Sequence, residues 1–170
     1  MRLYSGKVRE LGEELARALI DGGDIESESK GEVAKDLESV FSAYILADRE
    51  STERAKDILQ SRGMPQSEFG RIKKLAAEQR GIKTGDETLD YLLDQLIEML
   101  MHSGNVEEVF AEDHDLRRRM RPILRKYLEM DDAVDAEVRS KLKHVQEGSR
   151  VWEVEYQRII GDIQRRKGLS

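Results

Sequence analysis

Residues 86–109, DETLDYLLDQLIEMLMHSGNVEEV, combine the apolar pattern of an amphipathic helix with a Gly-Asn break near its end. Their leucines follow a three-four-four spacing, which places the side chains on one face of a helix. The beginning of the chain shows the same spacing before a Gly-Asp break. The two matching series are Val8, Leu11, Leu15, Leu19 and Leu89, Leu92, Leu96, Leu100. This match predicts that residue 86 begins the second copy of a duplicated unit.

A second match extends the duplication further along the chain. Six apolar positions of a helix predicted at residues 31–47 recur at a constant offset of 83 residues, including one tyrosine. The first set is Val33, Leu37, Val40, Phe41, Tyr44 and Ile45, and the second is Leu116, Met120, Ile123, Leu124, Tyr127 and Leu128. We expect tandem repeats at residues 1–83 and 86–170. Because the junction is too short for a flexible linker, they should pack as one compact unit.

The predicted fold class is all-α, with about four helices in each repeat and a pseudo-two-fold relation between the repeats. Helices are expected at residues 3–21, 31–47, 51–60 and 65–80, and again from residues 86, 112, 132 and 149. Residues 25–28 and 106–109 hold matched positions after a helix, so we expect them to pair as a very short antiparallel ribbon. Pro122 falls inside a predicted helix and lacks a backbone donor, which predicts a kink or a later helix start.

The composition excludes several classes of protein. The 170 residues include no cysteine, which rules out thiol catalysis and thiolate metal sites. No apolar run approaches the ~20 residues needed to cross a bilayer, and the charged first residues are unlike a secretory signal. We therefore expect a cytoplasmic protein without a membrane partner. The net charge of −6 argues mildly against a dedicated nucleic-acid binder, whose domain is usually basic.

The charge pattern changes abruptly after residue 115. Residues 86–115 contain ten acidic and no basic residues, whereas residues 117–126 contain six basic and no acidic residues. We call these six cations the basic stripe: Arg117, Arg118, Arg119, Arg121, Arg125 and Lys126. One interpretation is a nucleic-acid contact, since guanidinium groups pair well with phosphates. The other, favoured by the scarcity of stacking aromatics, is a solvated face whose cations pair with the acidic segment, within the chain or across a homodimer.

The only tryptophan, Trp152, lies one helical turn before Tyr156, so the two rings should share a helix face. Burial of this pair in the core is the simpler interpretation. If the pair is partly exposed beside Arg150, it would instead form a hot spot for a protein partner.

Acidic residues and histidines near the middle of the chain are the candidates for metal or acid–base chemistry. They are His102, Glu107, Glu108, Glu112, Asp113, His114 and Asp115. Their spacing matches no ligand motif, and acidic residues at a helix start are favoured electrostatically in any case. The glycines at residues 22–23 and 104 follow helices, which indicates helix stops and not phosphate-binding loops. We therefore expect no metal and no cofactor.

Three segments carry a resemblance to a known family. They are MRLYSGKV at residues 1–8, LMHSGNVEEV at residues 100–109, and QEGSRVWE at residues 146–153 with Tyr156 and a terminal RRKGL after it. Over essentially its whole length the chain resembles the bacterial domain-of-unknown-function family 507, here in its tandem form. The resemblance implies a compact helical protein of the bacterial cytoplasm. It implies no activity and supplies no catalytic residues.

The functional prediction is a non-catalytic macromolecular interaction or regulatory protein with a protein partner. The first alternative is a nucleic-acid-associated protein that uses the basic stripe. A weaker alternative is a metal-dependent enzyme that uses the acidic residues. The candidate binding residues are the basic stripe together with Arg150 and Trp152. The sequence leaves open whether the protein forms a homo-oligomer.

Overall fold

The computed structural model describes residues 3–167, which form six α-helices and two very short strands. The elements in chain order are α1 (Val8–Asp21), β1 (Ile25–Glu26), α2 (Lys30–Arg62), α3 (Phe69–Gln79), α4 (Thr88–His102), β2 (Glu108–Val109), α5 (Asp113–Ser140) and α6 (Arg150–Arg166). The all-α prediction is confirmed. The ends of the two terminal motifs, at residues 1–2 and 168–169, lie outside the described residues.

The number of helices differs from the prediction because two breaks do not occur. The helices expected at residues 31–47 and 51–60 are one continuous helix, α2, and α5 likewise runs through residue 132. The residues between the two predicted helices include neither glycine nor proline, so nothing in the chain interrupts the backbone ladder there. Ser51, which looked like a cap, is buried mid-helix, and its hydroxyl donates to the carbonyl of Ala47 at 2.7 Å.

The ends of α1 and α4 use different chemistry. Gly23 has φ +76°, and the N–H groups of Gly23 and Asp24 donate to the carbonyls of Ile20 and Leu19 at 3.1 and 2.9 Å. This left-handed glycine cap of α1 agrees with the prediction. After α4, the hydroxyl of Ser103 accepts from the N–H of Asn105 at 3.0 Å, so a serine turn replaces the expected glycine stop.

Pro122 is the tenth residue of α5, which begins at Asp113 and continues without interruption to Ser140. The prediction of a later helix start is therefore wrong. The missing donor at Pro122 leaves one carbonyl of the preceding turn without its helical partner. The side chain is exposed, so water can reach this turn. The alternative, a kink at this point, stays a prediction.

The two strands form the antiparallel ribbon that the sequence predicted. Ile25 pairs with Val109, and Glu26 pairs with Glu108. Ile25 is buried against the main core, so the ribbon joins the segment after α1 to the segment after α4.

Four helical segments surround the largest apolar core. Helix α1 packs on α2 and α5, and α4 packs on the same two helices, so the four contacts close into a ring. Only the first halves of the long helices α2 and α5 belong to this core. Their second halves continue outward as two arms. In the first arm α2 packs against α3, and in the second arm α5 packs against α6.

The two arms contact each other beside the core. Gly148, at φ +86°, lies against the ring of Phe69, and a Cβ atom at this position would come within 2.8 Å of that ring. Lys56 of the first arm forms an ion pair with Glu153 of the second. Within residues 3–167, none of the helices is both long enough and apolar enough to cross a bilayer.

Candidate interaction surfaces

Arg117 of the basic stripe is held by two carboxylates. Its guanidinium donates to Asp113 on its own helix and to Asp94 on α4, both at 2.7 Å. The hydrogen bond with Asp113, followed by that with Asp94, raises the pKa of Arg117 above its ordinary value. The side chain therefore stays charged and points toward the acidic face of α4.

Three further cations of the stripe also bridge to other elements. Arg121 donates to Asp90 of α4 at 2.9 Å, and Arg119 donates to Asp24, in the turn after α1, at 2.7 Å. Lys126 donates to Glu14 of α1 at 2.7 Å. The acidic residues of α4 and the stripe thus face each other within one chain.

Arg118 and Arg125 are the two stripe residues that remain most available to solvent. The side chain of Arg118 is 77 % exposed and reaches Asp115 only at 3.9 Å. Arg125 is exposed, and none of the ion pairs among residues 3–167 includes it. The two residues are two helical turns apart, so they share a face of α5.

Trp152 is half-buried and belongs to the second arm. Its ring stacks on Tyr156 with centroids 4.8 Å apart, and the Arg139 guanidinium lies 5.3 Å from its centroid. Its backbone N–H is capped by the Ser149 hydroxyl at 3.2 Å. This environment agrees with the core interpretation. Arg150, in contrast, is exposed at the start of α6.

A polar network fixes the second arm around Arg139. The guanidinium donates to Asp135 at 2.8 Å and to both oxygens of Glu147 at 2.8 and 2.9 Å. Hydrogen bonding to Glu147 opposes the desolvation of burial, and the pKa of Arg139 is raised above its ordinary value. Such a two-point arginine–carboxylate contact is geometrically specific. It ties the loop before α6 to α5.

The proposed acidic and histidine ligands are dispersed. Among residues 3–167, no group of three or more histidine, aspartate and glutamate side chains is placed to hold a metal ion. His114 lies 3.5 Å from Glu112 and 3.4 Å from Asp115 at the exposed start of α5. His102 lies 3.5 Å from Glu98 at the end of α4.

A groove of ≈ 720 Å³ between α2 and α4 is the main feature that sequence reasoning missed. We call it the α2–α4 groove. Its apolar lining comes from Val40, Ala43, Tyr44, Ala47, Tyr91 and Met99. Arg80 and Glu98 also line it, near its opposite ends.

Tyr44 forms the rigid floor of the α2–α4 groove. Its hydroxyl donates to the Lys83 carbonyl at 3.1 Å, and burial raises its pKa to about 12. Its ring lies 5.9 Å from the ring of Tyr91, which is only half-buried. The groove therefore presents an aromatic surface to solvent on a fixed support.

The matching face between α1 and α5 is closed. At the 83-residue offset, Ala43 corresponds to Lys126, and at the 81-residue offset of the α1 and α4 leucines, Gln95 corresponds to Glu14. Lys126 and Glu14 form the ion pair across that face, and the Tyr127 hydroxyl donates to Glu14 at 2.7 Å. The α2–α4 groove has neither charge. Comparing these positions between the repeats is the sequence signal that could have revealed the groove.

Two comparisons place the chain among known proteins. A search of curated proteins found no match. The profile of the family described as "Protein of unknown function (DUF507)" matches residues 1–169. Since this match covers nearly all of the 170 residues, the chain belongs to that family.

Proposed function

We propose that this protein is a non-catalytic protein-interaction module that binds a helix of a partner protein in the α2–α4 groove. The observation that carries this proposal is the open, mainly apolar lining of the groove, with Tyr91 and Met99 only half-buried. An amphipathic helix commonly binds by laying its apolar face between two helices of its receptor. Tyrosine is also enriched among the residues that dominate binding energy.

The internal pairing of the basic stripe supports this choice over nucleic acid. Four of its six cations are engaged by carboxylates of the same chain at 2.7–2.9 Å. A phosphate would have to displace these carboxylates. The nucleic-acid alternative rests on the exposed pair Arg118 and Arg125, and it requires binding that weakens steeply with salt and is lost when both become glutamine.

The experiment places a photo-crosslinking amino acid at Gln95, inside the groove, in cells that produce the protein. The matched control carries the same amino acid at Arg17, which is exposed on α1 at the position corresponding to Glu98. We expect a discrete protein adduct from position 95 that is absent from position 17. The adduct should disappear when Ala43→Lys is added. Adducts of equal yield from both positions, or from neither, would refute the proposal.

We also propose that the chain is a tandem duplication whose second copy begins near residue 86. The order of elements supports it, since a helix, a short strand, a long helix and a final helix occur twice. Strands β1 and β2 and the starts of α2 and α5 are each separated by 83 residues. A duplicated interaction module with one face closed would bind one partner helix, not two.

A further inference from the structure

We infer that the α2–α4 groove selects a partner helix of about three turns with one direction. The N-terminal turn of that helix is acidic and lies at the Arg80 end, and its C-terminal turn is basic and lies at the Glu98 end. This inference rests on the proposed function, because it specifies the chemistry and orientation of the helix that the groove binds.

The length of the groove sets the length of the occupant. Along α4 the lining extends from Tyr91 to His102, and along α2 it extends from Ser39 to Ala47. At 1.5 Å per residue these stretches measure about 16 and about 12 Å. Three helical turns have a length of about 16 Å. A stable contact between two whole subunits needs roughly 20–30 residues a side, which is more than this lining offers.

The lining sets the pattern of apolar residues on the occupant. Val40, Ala43 and Ala47 on α2 face Tyr91 and Met99 on α4 across the groove. The small side chains of Ala43 and Ala47 leave room for larger aliphatic side chains of the partner. A partner helix that fills this space needs apolar residues at positions i, i+3 or i+4, and i+7.

The two ends of the groove differ in charge. At one end, Glu98 has a side chain that is 72 % exposed, with His102 beside it. At the other end is Arg80, which is 45 % exposed and paired with Glu50. Glu50 does not line the groove, and a guanidinium has five donors, so Arg80 can bind a second carboxylate. A complementary occupant therefore carries a base near Glu98 and an acid near Arg80.

The helix dipole assigns the direction. Acidic side chains are favoured in the first turn of a helix and basic side chains in the last turn. Helix α4 runs from Tyr91 near the Arg80 end toward His102 near the Glu98 end, and the hydrogen bond of Ser103 with Asp36 places its end beside the start of α2. The partner helix thus runs parallel to α4 and antiparallel to α2.

A displayed library of helix-forming peptides, selected with the full-length protein, tests this inference. The counter-selection uses the closed variant Ala43→Lys/Gln95→Glu, which copies the Lys126–Glu14 pair into the groove. We expect selected peptides to share the apolar spacing, acidic first turns and basic last turns. Circular dichroism and thermal unfolding would first establish that the closed variant folds.

A charge-reversed variant separates direction from simple apolar binding. The variant Glu50→Arg/Arg80→Glu/Glu98→Lys keeps the pair at residues 50 and 80 while reversing both ends of the groove. Peptides selected on the unmodified protein should bind it roughly tenfold more weakly, because two exposed charge contacts become repulsive. Peptides with the opposite charge order should gain by a similar factor.

The outcomes distinguish this inference from the proposed function. Peptides that bind only the open groove but show no charge order would overturn the direction and leave the proposed function standing. Peptides that bind the open and closed proteins equally would overturn both. A dimer in sedimentation experiments that dissociates in the closed variant would identify a second copy as the occupant and overturn the partner helix.

Discussion

At the scale of single residues, Asp131 is the buried acid with the clearest chemical consequence. It is 5 % exposed at the junction of the core and the second arm, and its carboxylate accepts the N–H of Tyr4 at 3.1 Å. Burial raises the pKa of Asp131 to about 6, against the opposing effect of this hydrogen bond. Asp132 adds to the increase, and Lys7 counteracts it. The folded protein therefore holds this proton more tightly than the unfolded chain does.

We predict that Asp131 makes the protein less stable as the pH rises from about 4 to about 6. In that window the folded state binds more protons than the unfolded state, so the free energy of unfolding falls with pH and then levels off. Asp131→Asn keeps an acceptor for Tyr4 and should raise stability at pH 7.5 by about 1–2 kcal/mol. Urea unfolding across pH 4–8 measures this. The exposed control Asp57→Asn should leave the pH profile unchanged, and an unchanged profile for Asp131→Asn would contradict the account.

At the scale of secondary-structure elements, the two long helices α2 and α5 connect the core to the arms. Each contributes its first half to the central core and its second half to an arm. A continuous helix transmits position rigidly, so the arms are held by the same elements that pack the core. Helix α5 maintains this role although Pro122 removes one of its donors.

We predict that Pro122→Ala stabilises the protein by roughly 1–3 kcal/mol. Alanine supplies the missing N–H and is the best helix former, whereas an interior proline costs about 3 kcal/mol in an ordinary helix. Part of that gain is offset because proline also restricts the unfolded chain. The corresponding change in α2, Ser39→Ala, replaces no proline and should alter stability by less than about 0.5 kcal/mol. Thermal and urea unfolding decide the matter, and a destabilised Pro122→Ala protein would show that α5 requires the proline geometry.

At the scale of the whole molecule, charge complementarity joins α4 to α5. Helix α4 presents Asp90 and Asp94 on its exposed side, and the basic stripe meets them with Arg121 and Arg117. Without the stripe, α4 would carry a run of unneutralised acids. The abrupt change of charge in the sequence therefore has a structural cause, whatever its further use.

We predict a small, salt-sensitive loss of stability when both acids are neutralised. Asp90→Asn/Asp94→Asn should lower the free energy of unfolding by about 1 kcal/mol at low ionic strength, because exposed ion pairs are individually weak. In about 1 M NaCl, where the screening length is about 3 Å, most of the difference should vanish. Urea unfolding at both salt concentrations provides the test. A loss that persists undiminished at high salt would mean that packing and not charge is responsible.

The structure corrects the sequence predictions where local signals were ambiguous. The apolar spacing of Leu89–Leu100 and the Gly-Gly stop after α1 were sufficient to predict those helices, because both signals are local. Ser51 was interpreted as a start signal, since serine favours caps, but tertiary burial places it inside α2. Trp152 was offered as an exposed hot spot, and packing on Tyr156 makes it mainly structural.

The sequence by itself determined the helical class, the pairing of the segments around Ile25 and Val109, and the contrast between the acidic and basic segments. Each follows from periodicity, glycine chemistry or charge along the chain, all of which act over a few residues. Only the tertiary structure decided which cations of the stripe have carboxylate partners and which face between helices stays open. These properties depend on side chains far apart in sequence, as when Lys126 meets Glu14 on one face while Ala43 and Gln95 leave the other open.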